Sequence, residues 1–335
     1  MPNSLVTGGA GFIGSHVAAE LLKYGHDVTV LDDLSGGFVD NVPIAADFVQ
    51  GTICDALYVD KLFARCGFDY VYHLAAYAAE GLSHFIKRFN YTNNLLGSVN
   101  LINAAVNYGV KCFVFTSSIA VYGAGQTPMT EDMIPLPEDT YGIAKLAVEH
   151  ELSVTHNMFG LDYVIFRPHN VYGERQNIGD RYRNVVGIFM NQLLKGEPMT
   201  IFGDGLQQRA FTHIRDVAPI IAKSVSVPEA HGQTFNIGAD VPYTVLELAH
   251  AVADAMEAPC NIVHLEPRNE VKIAFSDHSR CARVFRTDAK TNLTDGLSAM
   301  AKWAKLHGAR ESKVFGEIEI AKNMPACWVE LMTAV

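Results

Sequence analysis

Three features are missing from this sequence, and each absence excludes a class of protein. The six cysteines form no CxxC pair, so we predict buried free thiols in a reducing compartment and no metal site. No apolar run approaches the length of a membrane span, so we predict no membrane partner. Positive charge is in deficit, with a formal net charge of −10, which argues against a nucleic-acid partner. A negatively charged ligand would therefore need local arginines.

The composition is that of a folded chain with a large core. The 335 residues are 49% apolar, which suits one domain with a lobe or two domains. The start, Met-Pro-Asn-Ser, has no basic segment followed by an apolar stretch, so we expect no secretory signal. A soluble, cytoplasmic protein is therefore expected.

Short apolar runs alternate with amphipathic stretches through the first half of the chain. The apolar runs predict buried strands at residues 5–7, 28–31, 70–73, 112–116 and 163–166. Helices are predicted at residues 12–24, 56–66, 93–108 and 140–158. Repeated strand–helix–strand units with near-continuous apolar strands indicate a parallel sheet covered by helices on both faces. The predicted fold class is α/β, with a Rossmann-type doubly wound parallel sheet.

Beyond Arg167 this alternation breaks down. Residues 174–184 are polar and charged, which predicts a loop, and short elements follow irregularly. One later helix is well marked, because Thr244 and Glu247 have the spacing of a capping box ahead of an apolar stripe. The tail from Gly308 onward carries mixed charge and suggests no role.

The first predicted strand runs into a glycine-rich segment, Thr7-Gly-Gly-Ala-Gly-Phe-Ile-Gly14. Its glycines allow a tight turn and let a pyrophosphate approach the amides that open the following helix. Asp32 ends the next predicted strand, where a carboxylate suits an adenosine ribose diol and, with Asp33 beside it, repels a 2′-phosphate. We therefore predict a dinucleotide site with NAD favoured over NADP. For Asp33, a solvated loop position is an equal alternative.

A second motif lies later in the chain. Of the thirteen tyrosines, only Tyr141 has a lysine, Lys145, four residues later. On a helix the two side chains share one face, where a nearby ammonium and an oxidised nicotinamide would lower the tyrosine pKa and make it a base. An ordinary surface pair is the alternative. Ser118 follows the strand at 112–116 and would orient a substrate hydroxyl, whereas Ser117 is assigned to backbone capping.

Together these residues resemble the extended short-chain dehydrogenase/reductase family of nucleotide-sugar enzymes, and within it the UDP-glucose 4-epimerase-like NAD-dependent epimerases. The resemblance extends from Leu5 to about Trp303. It implies an NAD-binding domain at residues 1–168, with elements from about 210–255 packing back on it, and a smaller C-terminal α/β substrate lobe at residues 169–335. Its further markers are Asn94 and the segments His73-Leu-Ala-Ala76, Ser118-Ile-Ala-Val-Tyr-Gly123 and Arg167-Pro-His-Asn-Val-Tyr-Gly173.

The resemblance also implies a role for each matching residue. The catalytic residues would be Ser118, Tyr141 and Lys145. The cofactor NAD would contact Gly8, Gly11, Phe12, Ile13, Gly14, Asp32, Leu74, Ala75, Ala76, Asn94, Tyr141 and Lys145. A nucleotide-sugar substrate, with UDP favoured, would contact Ser118, Tyr141, Asn170, Asn184, Val185, Ile201, Phe202, Arg209 and Arg268. A guanidinium fork suits phosphate oxygens, with a surface salt bridge as the alternative for either arginine. Family members commonly pair through the helices matching 93–108 and 140–158, which implies a homodimer.

Three positions bear on how far the family pattern applies. Thr52 replaces the usual aspartate after Gly51, so the family's adenine contact is left open there. The segment that contains Arg268 is one residue shorter than usual, which leaves that arginine provisional. Ala274 stands where sugar size is gated, and its small side chain leaves room for an N-acetyl or other bulky group at C2 of the sugar.

The residues after Ser118 select among the reactions of the family. Family members that remove water from C5 and C6 have an Asp-Glu pair there, whereas Ile119 and Ala120 cannot carry protons. A 4-keto sugar would therefore turn over in the pocket and take the hydride back on its other face, which inverts C4. Three alternatives stay open: a UDP-uronate decarboxylase, another epimerase acting at C3 and C5 through Tyr77 and His169, and a non-catalytic NAD-sensing protein.

Overall fold

The computed structural model describes residues 1–125, 127–268, 271–287, 290–311, 315–316 and 318–333. Its strands are β1 (Asn3–Thr7), β2 (Asp27–Asp32), β3 (Asp47–Gln50), β4 (Tyr70–His73), β5 (Cys112–Thr116), β6 (Asp162–Pro168), β7 (Val171–Tyr172), β8 (Met199–Phe202), β9 (Gln208–Ala210), β10 (Thr212–His213), β11 (Gln233–Ile237), β12 (Pro242–Thr244), β13 (Ile262–Leu265) and β14 (Ile273–Ala274). Its α-helices are α1 (Phe12–Lys23), α2 (Ala56–Cys66), α3 (Glu80–Ser83), α4 (Lys87–Tyr91), α5 (Gly97–Asn107), α6 (Thr140–Phe159), α7 (Val185–Leu194), α8 (Ala218–Lys223), α9 (Val245–Met256), α10 (Ser279–Phe285), α11 (Leu293–His307) and α12 (Ala326–Thr333).

Seven strands form one sheet in the order β11-β6-β5-β4-β1-β2-β3, and every neighbouring pair is parallel. The chain winds outward in one direction through β2 and β3 and in the other through β4, β5 and β6. The order therefore switches between β1 and β4, the place where open α/β sheets bind ligands at the carboxyl ends of their strands. The predicted doubly wound α/β fold is confirmed.

The five predicted strands are the interior of this sheet, β1, β2, β4, β5 and β6. β5 is buried along its whole length, as expected of a strand covered on both faces. The prediction misses β3 and β11, which are the two edges of the sheet.

Helices cover both faces of the sheet. On one face α1 and α8 pack together, with Leu21 and Ile221 in the shared core. On the other face α2, α5 and α6 contribute Leu62, Leu101 and Leu152 to a second core. The dinucleotide-binding turn and the Tyr141 helix therefore approach the sheet from opposite sides.

Local sequence signals set the helix limits. The side chains of Asp55 and Asp139 accept hydrogen bonds from first-turn amides of α2 and α6. Gly67 and Gly160 end the same two helices in the left-handed conformation, at φ 62° and 74°. The capping box of Thr244 is present at the start of α9.

One predicted helix is divided in the structure. The expected helix at 93–108 consists of a π-helical turn, Thr92–Leu96, followed by α5. The π-turn places Asn94 against the backbone of Tyr77. Such turns are frequent at functional sites.

A second lobe has its own core. α7, α9 and α11 pack on one another around Phe189, Leu248 and Leu297. In the described part of the chain the lobe also contains the small sheets of β8 with β13 and of β9 with β12 and β14, and β7 pairs with β10 in a further small sheet. β11 and α8 belong instead to the large sheet and its covering layer, although they follow β8 to β10 in the chain.

The tail beyond Gly308 returns to the large domain. Glu319 accepts hydrogen bonds from the backbone amides of Arg88 and Phe89 at the start of α4. Trp328 packs edge-on against Tyr182, with ring centroids 5.2 Å apart. The tail thus contacts both the α4 region and the loop before α7. In the described part of the chain, no helix is both long enough and apolar enough to cross a membrane.

Candidate active site

A cavity of about 1520 Å³ follows the carboxyl ends of the central strands and continues into the second lobe. It exceeds the roughly 300–1,000 Å³ that encloses one drug-sized ligand. It therefore has room for a dinucleotide and a second ligand. Of the predicted site residues, all except Asn94 line it.

The glycine-rich turn forms the floor of the cavity beside α1. Gly8 has a φ of +70°, and its carbonyl accepts a hydrogen bond from the Gly11 amide at 3.0 Å. A Cβ added to Gly14 would lie 2.2 Å from the Gly8 oxygen, so only glycine fits there. No side chain caps the first amides of α1. This cradle of bare backbone and helix amides fits the pyrophosphate of a dinucleotide.

Asp32 connects the end of β2 to this turn. One carboxylate oxygen accepts from the Ala10 amide at 3.0 Å and the other from the Leu34 amide at 2.8 Å. Burial raises the pKa of Asp32, while these amides oppose the rise. A carboxylate has about four acceptor sites, so Asp32 can accept further bonds from a ribose diol on the cavity side.

Asn94 acts on the cavity indirectly. Its amide accepts from the Tyr77 amide at 2.8 Å, donates to the Tyr77 carbonyl at 3.1 Å, and donates to Asn90 at 2.7 Å. It does not line the cavity, so this geometry does not support the predicted direct contact between Asn94 and the cofactor. Its bonds instead fix the strand-end segment that carries Tyr77.

Tyr141, Lys145 and Ser118 come together at the carboxyl end of β5. Tyr141 and Lys145 stand one turn apart near the start of α6, and both are buried. Ser118 lies close enough to the Tyr141 hydroxyl to lower its pKa. Lys145 Nζ donates to the Thr116 carbonyl at 2.8 Å and lies 5.7 Å from the centre of the Tyr141 ring. The three side chains thus form one buried polar group facing the cavity, not a surface pair.

Burial dominates the pKa values of this group. It raises the pKa of Tyr141, which Glu80 also raises and the hydrogen bond from Ser118 lowers. It lowers the pKa of Lys145 to about 7, an effect that Glu149 opposes. Desolvation of the phenolate is thus the largest influence of the protein itself on the pKa of Tyr141. A positive charge brought in by the cofactor would act in the opposite direction.

A buried network stands behind Lys145; we call it the Glu149 network. Glu149 receives two hydrogen bonds from Arg167, at 2.9 and 2.5 Å, and one from Ser117. Arg167 also donates to Tyr122 at 2.7 Å, and Tyr122 donates to Asn236 on β11. The assignment of Ser117 to backbone capping is therefore wrong, since its hydroxyl bonds Glu149. The spacing of Glu149, four residues after Lys145 on one helix face, is a signal that sequence reasoning could have used.

The predicted substrate residues line the other half of the cavity. Asn170 has a φ of 41°, and Asn184, at φ 62°, precedes α7. Arg209 donates to the backbone carbonyls of Gln208 at 2.8 Å and Val271 at 2.5 Å. Arg268 stacks on the Phe202 ring, with its guanidinium 4.5 Å from the ring centre. The remaining predicted residues of this half, Val185 and Ile201, also line the cavity, as does Ala274.

Several cavity residues have no place in the predicted set. Arg183, in the expected loop, lies over the Tyr77 ring at 4.8 Å and pairs with Asp180. Arg310 and Phe315 come from the tail. The Phe315 ring contacts Phe89 and Tyr77, with centroids 4.8 and 5.4 Å away. No local motif marks the tail residues, because their contacts reach the other end of the chain.

Among the residues that the structure describes, no group of three or more His, Cys, Asp or Glu side chains could hold a metal ion.

The sequence is similar to those of known proteins over most of the chain. It matches the NAD dependent epimerase/dehydratase family over residues 4–238. A UDP-glucose 4-epimerase from Mycolicibacterium smegmatis is 36% identical over 303 residues, which are 88% of this chain and 96% of that protein.

Solved structures are similar over most of the chain as well. The UDP-glucose 4-epimerase of Thermotoga maritima with UDP-glucose gives a TM-score of 0.87 at 33% identity, covering 91% of this chain and 99% of that one. The UDP-glucuronic acid 4-epimerase of Bacillus cereus, in complex with UDP-glucuronic acid and NAD, gives 0.83 at 30% identity with the same coverage of 91% and 99%.

Proposed function

The chain belongs to the NAD-dependent epimerase/dehydratase family, and we propose that it inverts C4 of a UDP-hexose, in a glucose/galactose, N-acetyl or uronate form, through a transient 4-keto sugar. It is an NAD-dependent epimerase, and NAD is its cofactor. The observation that carries the reaction type is the buried group of Tyr141, Lys145 and Ser118 beside the dinucleotide cradle.

Each side chain of this group has a task in the proposed reaction. Tyr141 Oη takes the proton of the C4 hydroxyl and later returns it, while Ser118 Oγ holds the same hydroxyl in place. Lys145, fixed through its bond to the Thr116 carbonyl, places its amino group near the phenol ring, where its protonated form favours the phenolate. NAD, when bound, supplies the hydride acceptor and donor. The proposed cofactor contacts remain those of the glycine turn, Asp32, residues 74–76, Tyr141 and Lys145.

Two residues next to Ser118 favour inversion at C4 of the sugar over loss of water from it. Ile119 and Ala120 line the cavity next to Ser118, and neither carries a proton. The keto sugar therefore has no partner for chemistry at C5 and C6 there. Return of the hydride to the opposite face of C4 is the step that needs no additional residue.

The second half of the cavity is proposed to hold the nucleotide and sugar. Arg209 and Arg268 suit the diphosphate, because both residues line the cavity and a guanidinium matches phosphate oxygens. Asn170, residues 184–185 and residues 201–202 surround the same space. Ala274, buried at the cavity wall, leaves room for a bulky C2 group such as N-acetyl.

A substrate panel tests these proposals. UDP-galactose, UDP-N-acetylglucosamine and UDP-glucuronate are each incubated with the protein without added NAD and followed by NMR. Inversion at C4 supports the proposal, release of CO₂ from the uronate supports a decarboxylase, and no turnover supports an NAD-sensing protein. A clear preference for the plain hexose would count against the role of Ala274.

We propose that the NAD-binding domain comprises residues 1–168 together with elements from about 210–255 that pack back on it. The substrate lobe then comprises mainly residues 169–335. The return of β11 and α8 to the large sheet supports this division. α9 packs on α7 and α11 instead, so the elements within residues 210–255 that support the division are β11 and α8.

A homodimer and a cytoplasmic location complete the proposal. Exposed apolar side chains on α6, among them Val154, Met158 and Phe159, support pairing through this helix. The six cysteines are free thiols, which supports a reducing compartment. Sedimentation and cell fractionation test the two statements; a monomer, or a protein found outside the cytoplasm, would overturn them.

A further inference from the structure

Two buried histidines meet at the wall of the cavity. His169 follows β6 and His278 precedes α10, and their rings stack with centroids 5.1 Å apart. Their Nε2 atoms are 2.9 Å apart, and each residue is less than 5% exposed. His278 Nδ1 lies 2.6 Å from a carboxylate oxygen of Asp240, whose other oxygen accepts from Lys290. We call these four residues the His278 network.

The partners of the two rings decide where the protons lie. His169 Nδ1 is 3.0 Å from the Ala210 carbonyl, which only accepts, so this nitrogen carries a hydrogen. A neutral His169 then has a bare Nε2, and the proton between the rings belongs to His278. His278 Nδ1 faces a carboxylate and also carries a hydrogen. By this assignment His278 is an imidazolium and His169 is neutral.

The charges around the pair agree with this assignment. Burial, with a contribution from His278, lowers the pKa of His169 to about 3. The hydrogen bond from His278 is the largest cause that holds the pKa of Asp240 far below its usual range, so Asp240 is a carboxylate. Among the described residues, Lys290 is a further charged group that faces the cluster, while Asp277 is turned toward Ser279. Ser276 Oγ, 3.0 Å from His278 Nε2, adds a neutral partner.

The network joins three segments of the substrate half. The Ala210 carbonyl that binds His169 also accepts from the Asn170 amide at 3.3 Å. Ala210 ends β9, whose Arg209 is paired in register with Ala274 on β14. His278 follows β14 after a short turn. The segments that carry Asn170, Arg209 and Ala274 all line the cavity. The contact between His169 and His278 therefore joins the segment of Asn170 to the segment that follows Ala274.

We propose that His278, held as an imidazolium by Asp240, is a positioning residue that acts through His169 to fix the wall that receives the substrate diphosphate. This inference rests on the proposed function. Because His278 lies behind His169 and is not among the residues that line the cavity, its loss should weaken substrate binding and leave the chemical step unchanged.

The test compares His278→Gln and Asp240→Asn with the wild type, and His250→Gln, an exposed position on α9, serves as the control. We expect His278→Gln to raise KM for the UDP-sugar about tenfold, or about 1.4 kcal/mol, with kcat within about twofold. Asp240→Asn should move KM in the same direction by less. His250→Gln should leave both KM and kcat unchanged.

Two readouts do not depend on turnover. Calorimetric binding of UDP should weaken in His278→Gln by the same factor as KM. Nitrogen NMR of the histidine side chains at neutral pH should show His278 with two protonated nitrogens and His169 with only Nδ1 protonated.

A neutral His278, or unchanged UDP binding in both variants, would overturn the inference, and so would a fall in kcat at constant KM. If the wild type turned over no sugar nucleotide, the proposed function would fail while the UDP and NMR results still decided this one. If His278→Gln did not fold, Asp240→Asn would decide it.

Discussion

The Glu149 network and the His278 network both place charge behind the cavity wall, but they differ in how far that charge is shielded from water. Arg167 and Glu149 are each 6% exposed and form a two-bond pair, and arginine keeps its proton at any ordinary pH. His278 bonds an aspartate whose side chain is 61% exposed, so this pair is open to solvent on one side. The first network should therefore govern the stability of the fold, and the second the affinity for substrate.

The largest expected effect comes from breaking the Glu149 network. Arg167→Met leaves the buried Glu149 carboxylate without its partner, so we expect unfolding to become easier by about 3–5 kcal/mol. Urea unfolding at neutral pH measures this change. Lys23→Met, which removes an exposed pair with Glu20, is the control and should cost less than about 1 kcal/mol. Equal losses in the two variants would remove the distinction between buried and exposed pairs on which the comparison depends.

The next largest expected effect is a fall in turnover with the stability of the fold nearly unchanged. Tyr141→Phe removes the base but no contact of the Glu149 network, so turnover should fall about a hundredfold or more, roughly 2.7 kcal/mol or more, with stability nearly unchanged. Steady-state rates and the amount of NAD that copurifies are measured together. Tyr24→Phe, at an exposed tyrosine, is the matched control. Near-normal turnover in Tyr141→Phe would show that another group is the base.

His16 is a buried histidine that is neutral in the folded protein, and acid pH should reveal this as a loss of stability. His16 donates to the Glu174 carbonyl, and burial, the largest cause, lowers the pKa of His16 to about 4. Between pH 6.5 and about 4 the unfolded chain binds more protons at this residue than the folded protein does, so its effect is a loss of stability as pH falls. Relative to His16→Gln, the wild type should lose about 3 kcal/mol over this window. Unfolding curves at several pH values measure it, and parallel profiles for the two proteins would contradict the assignment.

The smallest effect is a local one, outside both networks. Thr244→Ala removes the hydroxyl that accepts from the Glu247 amide at 3.0 Å at the start of α9. We expect a loss of about 1 kcal/mol in stability and no change in KM or kcat. Unfolding and kinetic assays on the same preparation check both. A changed KM would mean that α9 transmits strain to the cavity and that affinity does not belong to the His278 network alone.

Sequence alone predicts the centre of the sheet but not its edges. β1, β2, β4, β5 and β6 are apolar runs because they are covered on both faces. The edge strand β3, Asp-Phe-Val-Gln, has no fully buried residue, so its pattern resembles a loop. The other edge, β11, is separated from its neighbour β6 by the second lobe's first elements and has a polar start.

The site divides in a similar way. The glycine turn, Tyr141 and Lys145 are predictable because each motif is fixed by neighbours within one or two turns of the chain. His169 and His278 are 109 residues apart, and nothing near either one reveals the other. The place of Arg310 and Phe315 likewise depends on contacts with the N-terminal half. Spacing predicts such residues only when both partners lie on one element, as Lys145 and Glu149 do.

The most direct test of the proposed reaction follows the hydrogen on C4 itself. UDP-galactose with deuterium at C4 is incubated with the protein, without added NAD, and the product is examined by NMR and mass spectrometry. We predict UDP-glucose that keeps its deuterium at C4, because the hydride leaves and returns within one closed cavity. Product that has exchanged this deuterium for solvent hydrogen would contradict borrowed and returned hydride at the Tyr141 site.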